Sequence, residues 1–485
     1  MVGLYLYVNL FILPVTPILL TGDQVYFWMN AQRMIYGEQI YQNFFQFTPP
    51  GADLFYFALF KIFGLRIWVT NTVVLVLGMV LSLVCFRIAG RLVKRPLAAV
   101  ATLLFATFVY GGQLNATHHW FSVLLILIAV LVLMDGRSLK RIGIAGALLA
   151  LAAFFTQTHG IIATLAIGVF LLWERYALKA SWRNLVSKAA TLMLAFGAIV
   201  LALYAHYLDV IGPQRLWYFQ FTHVGKYLAN ARAPWLGLPA APSWQTLSVV
   251  RVPIGVYLLL ALIYPAVLIV CLRRKGGTAR GELSQVAILA LVGFSLLIEV
   301  ALNPNWLRLY AVSMPAIILL VWIVGQTRWQ RLVVASLCLV TAANAVDQIR
   351  TTHLRDFTIG ALRGGKVAVA PEAYKKMLWI NDHTAYGEFF FQAPWPGMYI
   401  PLQLRNPVYL DTISTFEETR PDFIERTIRD LEAKPVRYVL WPQYLNELDL
   451  QRPWNYQIER VRSFLNQRYK LAHVFPDRDQ IWERK

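Results

Sequence analysis

Between residues 2 and 346 the sequence returns repeatedly to uncharged apolar runs, many of them long enough to cross a hydrocarbon core. A chain patterned this way folds as a bundle of membrane helices, because lipid offers no partner to an unsatisfied backbone group. Spans are expected at roughly 2–20, 66–86, 97–113, 119–134, 142–157, 160–174, 189–210, 251–271, 283–302, 307–325 and 330–346, about eleven in all. The 58% hydrophobic content of the 485 residues and a mean hydropathy of +0.51 agree with a polytopic protein. The first run has neither a basic leader nor a small-residue cleavage site, so it reads as a retained helix. The lack of any charge before Asp23 leaves open a start upstream of Met1.

The formal net charge of +19 is not a nucleic-acid signature. Residues 1–345 hold 25 Lys and Arg against 8 Asp and Glu, whereas residues 346–485 hold 20 against 18. The excess sits in short loops: Arg87, Arg91, Lys94 and Arg95; Arg137, Lys140 and Arg141; Arg175, Lys179, Arg183 and Lys188; Arg273, Arg274, Lys275 and Arg280; Arg328 and Arg331. The positive-inside rule makes these loops cytoplasmic. Span parity then puts Asp23 and the tail after Asp347 on the other face.

The chain divides into residues 1–346, a membrane domain with interfacial helices in its first outer loop (21–65), and residues 347–485, a small α/β domain. In the tail, Lys366–Ala370, Glu388–Gln392, Val408–Leu410 and Val436–Leu440 read as strands. Pro371–Asn381, Pro421–Ala433 and Tyr456–Tyr469 read as helices, and His473–Phe475 with Gln480–Glu483 as a closing hairpin. The tail has no glycine-rich phosphate loop and no metal-ligand cluster, and reads as a structural or acceptor-facing cap.

The first loop carries the most specific pattern. Asp23 is the first charge, an aromatic segment with Gln32, Arg33, Glu38 and Gln39 follows, and Thr48-Pro49-Pro50-Gly51 turns the chain into another apolar helix ending Phe63-Gly64. Taken alone, Asp23 or Thr21 would serve equally well as a helix cap. The order of these features, with Gly37-x-x-x-Tyr41 between them, resembles bacterial membrane glycosyltransferases of the GT-C fold, in the protein-mannosyltransferase and aminoarabinose-transferase branch. That resemblance implies a sugar donor linked to a polyprenyl phosphate. Many relatives carry a second acidic residue after the aspartate; here Gln24 stands in its place.

Eight carboxylates serve residues 1–345. Asp135, Glu174 and Glu282 fall in basic loops, where surface charge balance is expected to explain them. Asp23, Glu38, Asp53, Asp209 and Glu299 fall on or near the opposite face. No two lie within three residues of each other, so the Asp-x-Asp clamp for a metal-bound nucleotide sugar is missing, and no metal or other cofactor is expected. A lipid-phosphate donor needs one base for the acceptor proton and one cation for the departing phosphate. Asp23 is the candidate base. Arg308, which also suits an interfacial anchor, is the candidate phosphate ligand with Tyr310, on a late-helix spacing that resembles the same family. Gln24, Tyr26, Glu38, Asp53, His118, His119, Trp120 and His159 complete the substrate-binding candidates, with Trp120 as a stacking surface for sugar. His118 and His119 are not expected to share a metal, because adjacent side chains on a helix diverge. Related enzymes often have a lysine in the turn occupied here by Thr156–Gly160, which leaves His159 without a clear role.

The resulting expectation is an integral-membrane, inverting glycosyltransferase, transferring sugar from a polyprenyl-phosphate donor to a protein, lipid or glycan acceptor among membrane lipids. A lipid-linked glycan polymerase or ligase is the nearest alternative, and a transporter or lipid flippase the alternative of another class.

Overall fold

The computed structural model describes residues 1–178, 181–226, 260–273, 280–301, 306–393, 395–413, 419–446 and 455–485. In chain order, α1 (Val2–Leu10) leads to a two-stranded turn, β1 (Phe11–Ile12) and β2 (Thr16–Pro17), then α2 (Gln24–Ile35), α3 (Gly51–Phe63), α4 (Ile67–Leu92) and α5 (Arg95–Leu104). Helices α6 (His118–Met134), α7 (Leu139–Phe155), α8 (Gln157–Leu178), α9 (Trp182–Ile211) and α10 (Pro213–Trp217) follow. Then come α11 (Leu260–Arg273), α12 (Arg280–Ala301), α13 (Trp306–Ala311), α14 (Met314–Gly325) and α15 (Gln330–Leu354). Among the described residues six helices are long and apolar enough to cross a membrane, and α6, α11 and α14 are shorter apolar helices. The mainly helical architecture with a small sheet-containing C-terminal region agrees with the sequence reading.

The chain forms two compact units: Met1–Asn9, Val74–Asp209 and Arg232–Thr352 in the first; Leu10–Val73, Val210–Ala231 and His353–Lys485 in the second. The first unit is a helical bundle. Gly160 permits its tightest fold-back: α7 ends at Phe155, one residue later α8 begins, and a Cβ on Gly160 would stand 2.4 Å from the Ala153 nitrogen. Gly146 does the same for the approach of α7 to α9, where a Cβ would meet the Leu192 carbonyl at 2.6 Å.

At one end of this unit polar contacts tie the helices together. Arg91 pairs with Asp135 at 2.7 Å, Arg137 with Glu174 at 3.1 Å and with Ser284 at 2.7 Å, and Trp322 donates to Glu282 at 2.8 Å. The partly exposed Arg91–Asp135 pair fits the expected surface charge balance, whereas Glu174 departs from it. Glu174 is buried, and an unpaired carboxylate there would be costly, so it is answered by Arg137 and Lys188. Arg274, Lys275 and Lys179 of the basic clusters lie outside the described residues.

The second unit corrects the first expected span. Val2–Leu20 does not form one helix: Pro14 and Pro17 cannot continue an α-helical ladder, and the chain instead pairs Phe11 with Pro17 and Ile12 with Thr16. Buried Asn71 steadies this turn by donating to the Leu10 and Ile18 carbonyls at 2.8 and 2.9 Å.

In the tail, β3 (Thr358–Leu362) and β4 (Gly365–Val369) form an antiparallel hairpin, and β5 (Phe390–Gln392), β6 (Tyr438–Trp441), β7 (Tyr469–Val474) and β8 (Gln480–Arg484) form a sheet ordered β5-β6-β8-β7. The β5–β6 pair is parallel, and α18 (Pro421–Ala433) lies in the connection between its strands, following α16 (Pro371–His383) and α17 (Tyr399–Leu402). The final helix, α19 (Ile458–Arg468), packs its buried Ile458, Val461 and Leu465 into the same core as Phe391 and Val439.

Val408–Leu410 is not a strand. Its apolar side chains are buried, but its backbone serves the first loop: the Val408 carbonyl accepts from Arg33 at 2.8 Å and the Tyr409 carbonyl from the Phe45 amide at 2.8 Å. Loop partners satisfy this segment in place of a sheet ladder.

Candidate active site

In the first unit the starts of α6 and α8, the end of α12 and the short α13 bring together side chains far apart in sequence. Thr117 ends the extended segment before α6, and the next two residues are His118 and His119, whose rings are tilted against each other with centroids 3.9 Å apart. The expected divergence of these neighbours is corrected: both rings turn into the same polar cluster. His118 Nδ1 is 2.8 Å from Thr156 Oγ1, and the His119 ring lies 5.2 Å from that of His159.

His159 is fully buried. Its Nδ1 stands 2.8 Å from Ser122 Oγ, and its Nε2 stands 3.1 Å from Glu299 Oε2. Thr158 donates to the other Glu299 oxygen at 2.7 Å. Arg308 lies close enough to interact electrostatically with His118, His119 and Glu299, and Tyr310, two residues on, lies against Gly112. Four candidates from the sequence, His118, His119, His159 and Arg308, therefore share one cluster. Trp120 does not offer a sugar-stacking face: it is fully buried against Tyr110 and Phe105, because its position on α6 points into the bundle core.

The remaining candidates lie in the second unit. Asp23 occupies the N-cap position of α2, yet its side chain makes no capping hydrogen bond to the helix. Gln24 is buried, donating to the Thr21 carbonyl at 2.8 Å, and Tyr26 meets Trp395 edge-on at 5.2 Å. Helix α2 is unusual in burying its polar face, with Asn30, Gln32 and Arg33 all inside. Arg33 explains how this is tolerated. It donates to Glu38 at 2.7 Å, to the Val408 carbonyl at 2.8 Å and to the Asn43 carbonyl at 3.1 Å, and it stands 3.9 Å from Asp411.

Asp53 is also fully buried. It accepts from Asn30 at 3.1 Å and from Gln46 at 2.9 Å, while Asn30 also reaches Asp411 at 3.4 Å. The Gln46 carbonyl oxygen accepts the Phe47 and Thr48 amides, so Asp53 helps to fix the Thr-Pro-Pro-Gly turn and has no open face for substrate. Complete burial holds its carboxyl well above the usual carboxylate range, and the nearby Asp411 adds to the rise against the opposing Asn30 and Gln46 hydrogen bonds.

Sequence reasoning named Glu299 without giving it a role. Its signal was position: a lone carboxylate in the last turn of an apolar span. Ser122, Thr156 and Thr158 carried no signal of their own, since hydroxyls are common in membrane helices. Asp411 and Asn30 were missed because their partners lie 381 residues apart. Among the described residues no group of three or more His, Cys, Asp or Glu side chains is arranged to hold a metal ion.

Residues 48–204 match the family model of dolichyl-phosphate-mannose-protein mannosyltransferases. The fold is similar to that of ArnT from Cupriavidus metallidurans bound to undecaprenyl phosphate, with a TM-score of 0.61 and 11% identity, covering 99% of this chain and 96% of that one. It is also similar to the apo oligosaccharyltransferase of Archaeoglobus fulgidus, with a TM-score of 0.52 and 13% identity, covering 91% of this chain and 68% of that one. No curated protein sequence matches the chain. The resemblance read from the first loop is thus borne out: the chain is a multi-pass membrane protein of the GT-C glycosyltransferase fold, and residues 48–204 match the mannosyltransferase family model.

Proposed function

We propose that the protein is an inverting glycosyltransferase of the bacterial inner membrane, moving a sugar from a polyprenyl phosphate to a protein, lipid or glycan acceptor on the periplasmic face. The observation that carries this reading is the convergence of Arg308 with His118 and His119, near Tyr310, on one end of a GT-C helical unit. A guanidinium and imidazole N–H groups suit a phosphate, and the ArnT relative is itself a complex with undecaprenyl phosphate.

In the proposed reaction the acceptor hydroxyl attacks the anomeric carbon, the carbon–oxygen bond to phosphate breaks, and the polyprenyl phosphate departs. Asp23 takes the acceptor proton. Arg308 and Tyr310 hold the phosphate as charge develops on it, with no metal assigned to the step. The single displacement inverts the anomeric centre.

The test is turnover by purified protein in proteoliposomes with a panel of polyprenyl-phosphate sugars, including a lipid-linked oligosaccharide. It is run on wild type, Arg308→Lys and Arg308→Ala. Donor binding should fall from wild type through lysine, which keeps charge but loses the two-pronged geometry, to alanine. Equal binding and turnover in all three would leave Arg308 as a membrane anchor.

A further inference from the structure

Glu299 has no part in the reaction as written, and its placement is unfavourable to phosphate binding. It is a carboxylate within electrostatic reach of Arg308, held by the Thr158 hydroxyl at 2.7 Å and set 3.1 Å from His159 Nε2. The pair is not sealed: the His159 side chain is completely covered, while that of Glu299 keeps 16% of its surface exposed. The Glu299 oxygen that faces His159 is itself buried, and the other is held by Thr158. A buried histidine needs only a neutral acceptor for one N–H, so pairing with His159 does not require a charged residue here.

The chemistry of the reaction gives that charge a use. The donor is a phosphodiester with one negative charge. The product is a phosphate monoester, whose second ionisation falls near pH 6, so that it carries nearly two charges at neutral pH. A site holding Arg308 and the histidines alone would bind the product more tightly than the donor, and tight product binding stalls turnover. A fixed carboxylate repels both ligands, and repels the more highly charged product more strongly.

We propose that Glu299 is an affinity-setting residue that weakens the hold on the polyprenyl monophosphate product relative to the diester donor. The groups facing it are Thr158 and His159 from α8, His118 and His119 from α6, and Arg308 from α13. The inference rests on the reading of Arg308 as the phosphate ligand. With an effective dielectric near 20, removing one charge about 10 Å from the ligand changes binding roughly tenfold per unit of ligand charge.

The experiment measures binding of a polyprenyl monophosphate and of its monomethyl ester, which keeps a single charge, at pH 8. It uses purified wild type, Glu299→Gln, Glu299→Asp and Arg308→Ala. Glutamine keeps the size and the hydrogen-bonding oxygen, so Glu299→Gln should tighten the ester roughly tenfold and the monophosphate by up to about a hundredfold. Glu299→Asp keeps the charge and should keep the wild-type ratio of the two affinities. If Arg308→Ala weakens both ligands but Glu299→Gln leaves their ratio unchanged or weakens them, the role of Glu299 is overturned and the phosphate site stands. If Arg308→Ala changes neither, the phosphate reading fails and the inference falls with it.

Discussion

The two ends of the helical unit each hold a glutamate among helix termini, and they use it differently. Glu174 has Arg137 at 3.1 Å, Ser284 at 3.3 Å and Lys188 at 4.0 Å, so two cations and a hydroxyl answer one carboxylate. Glu299 has a threonine hydroxyl and a histidine, within a cluster that also holds His118, His119 and Arg308. The first set surrounds its carboxylate with cations and ties helix ends together. The second sets three imidazoles and a guanidinium around its carboxylate, groups able to donate hydrogen bonds to an anion.

If that contrast is sound, the largest effect on stability belongs to the first end. Arg137→Ala leaves Glu174 buried beside a single, more distant lysine, and removing one partner of a buried pair costs about 3–5 kcal/mol. Thermal unfolding in detergent should show this loss while turnover per folded molecule is kept. Unchanged unfolding would erase the distinction between the ends.

His118→Ala probes the other end. A hydrogen bond to a charged ligand contributes about 1.5–3 kcal/mol, so donor affinity should fall by that amount with little change in unfolding. The reverse outcome, lower stability with unchanged donor affinity, would make the histidine end a second clamp.

The smallest effect concerns the loop unit, where carboxylates also serve structure. Asp53 holds its proton more tightly when folded than when unfolded, near 3.9 in the unfolded chain. The stability linked to it is therefore complete below that value and is lost as pH rises toward the folded value. Wild type should lose stability on going from pH 5 to pH 8, and Asp53→Asn should flatten that slope. Parallel slopes in denaturation series of the two proteins would place the pH response elsewhere.

How much was legible in the sequence follows from the range of the interactions. Helices such as α6 and α18 were readable because apolar runs, proline starts and periodicity are local signals. The order of features around Thr48-Pro49-Pro50-Gly51 gave the fold family for the same reason. Val408–Leu410 misled because three apolar residues look the same whether a sheet or a loop covers them. The broken first span shows the limit of hydropathy: Val2–Leu20 is uncharged and mostly apolar, but Pro14 and Pro17 and the partner Asn71 decide its backbone. The site was legible only in part. His118, His119 and Arg308 are conspicuous in apolar surroundings, whereas Glu299 and Asp411 take their meaning from residues 141 and 381 positions away.

The central claim, sugar transfer with Asp23 as base, is tested most directly by transfer from a polyprenyl-phosphate sugar with purified Asp23→Asn, donor binding being measured on the same sample. Asparagine keeps the shape and the capping ability of aspartate but cannot take the acceptor proton. Turnover should fall by about 10²- to 10⁴-fold with donor binding and folding retained. Near-normal turnover by the folded variant would contradict the account.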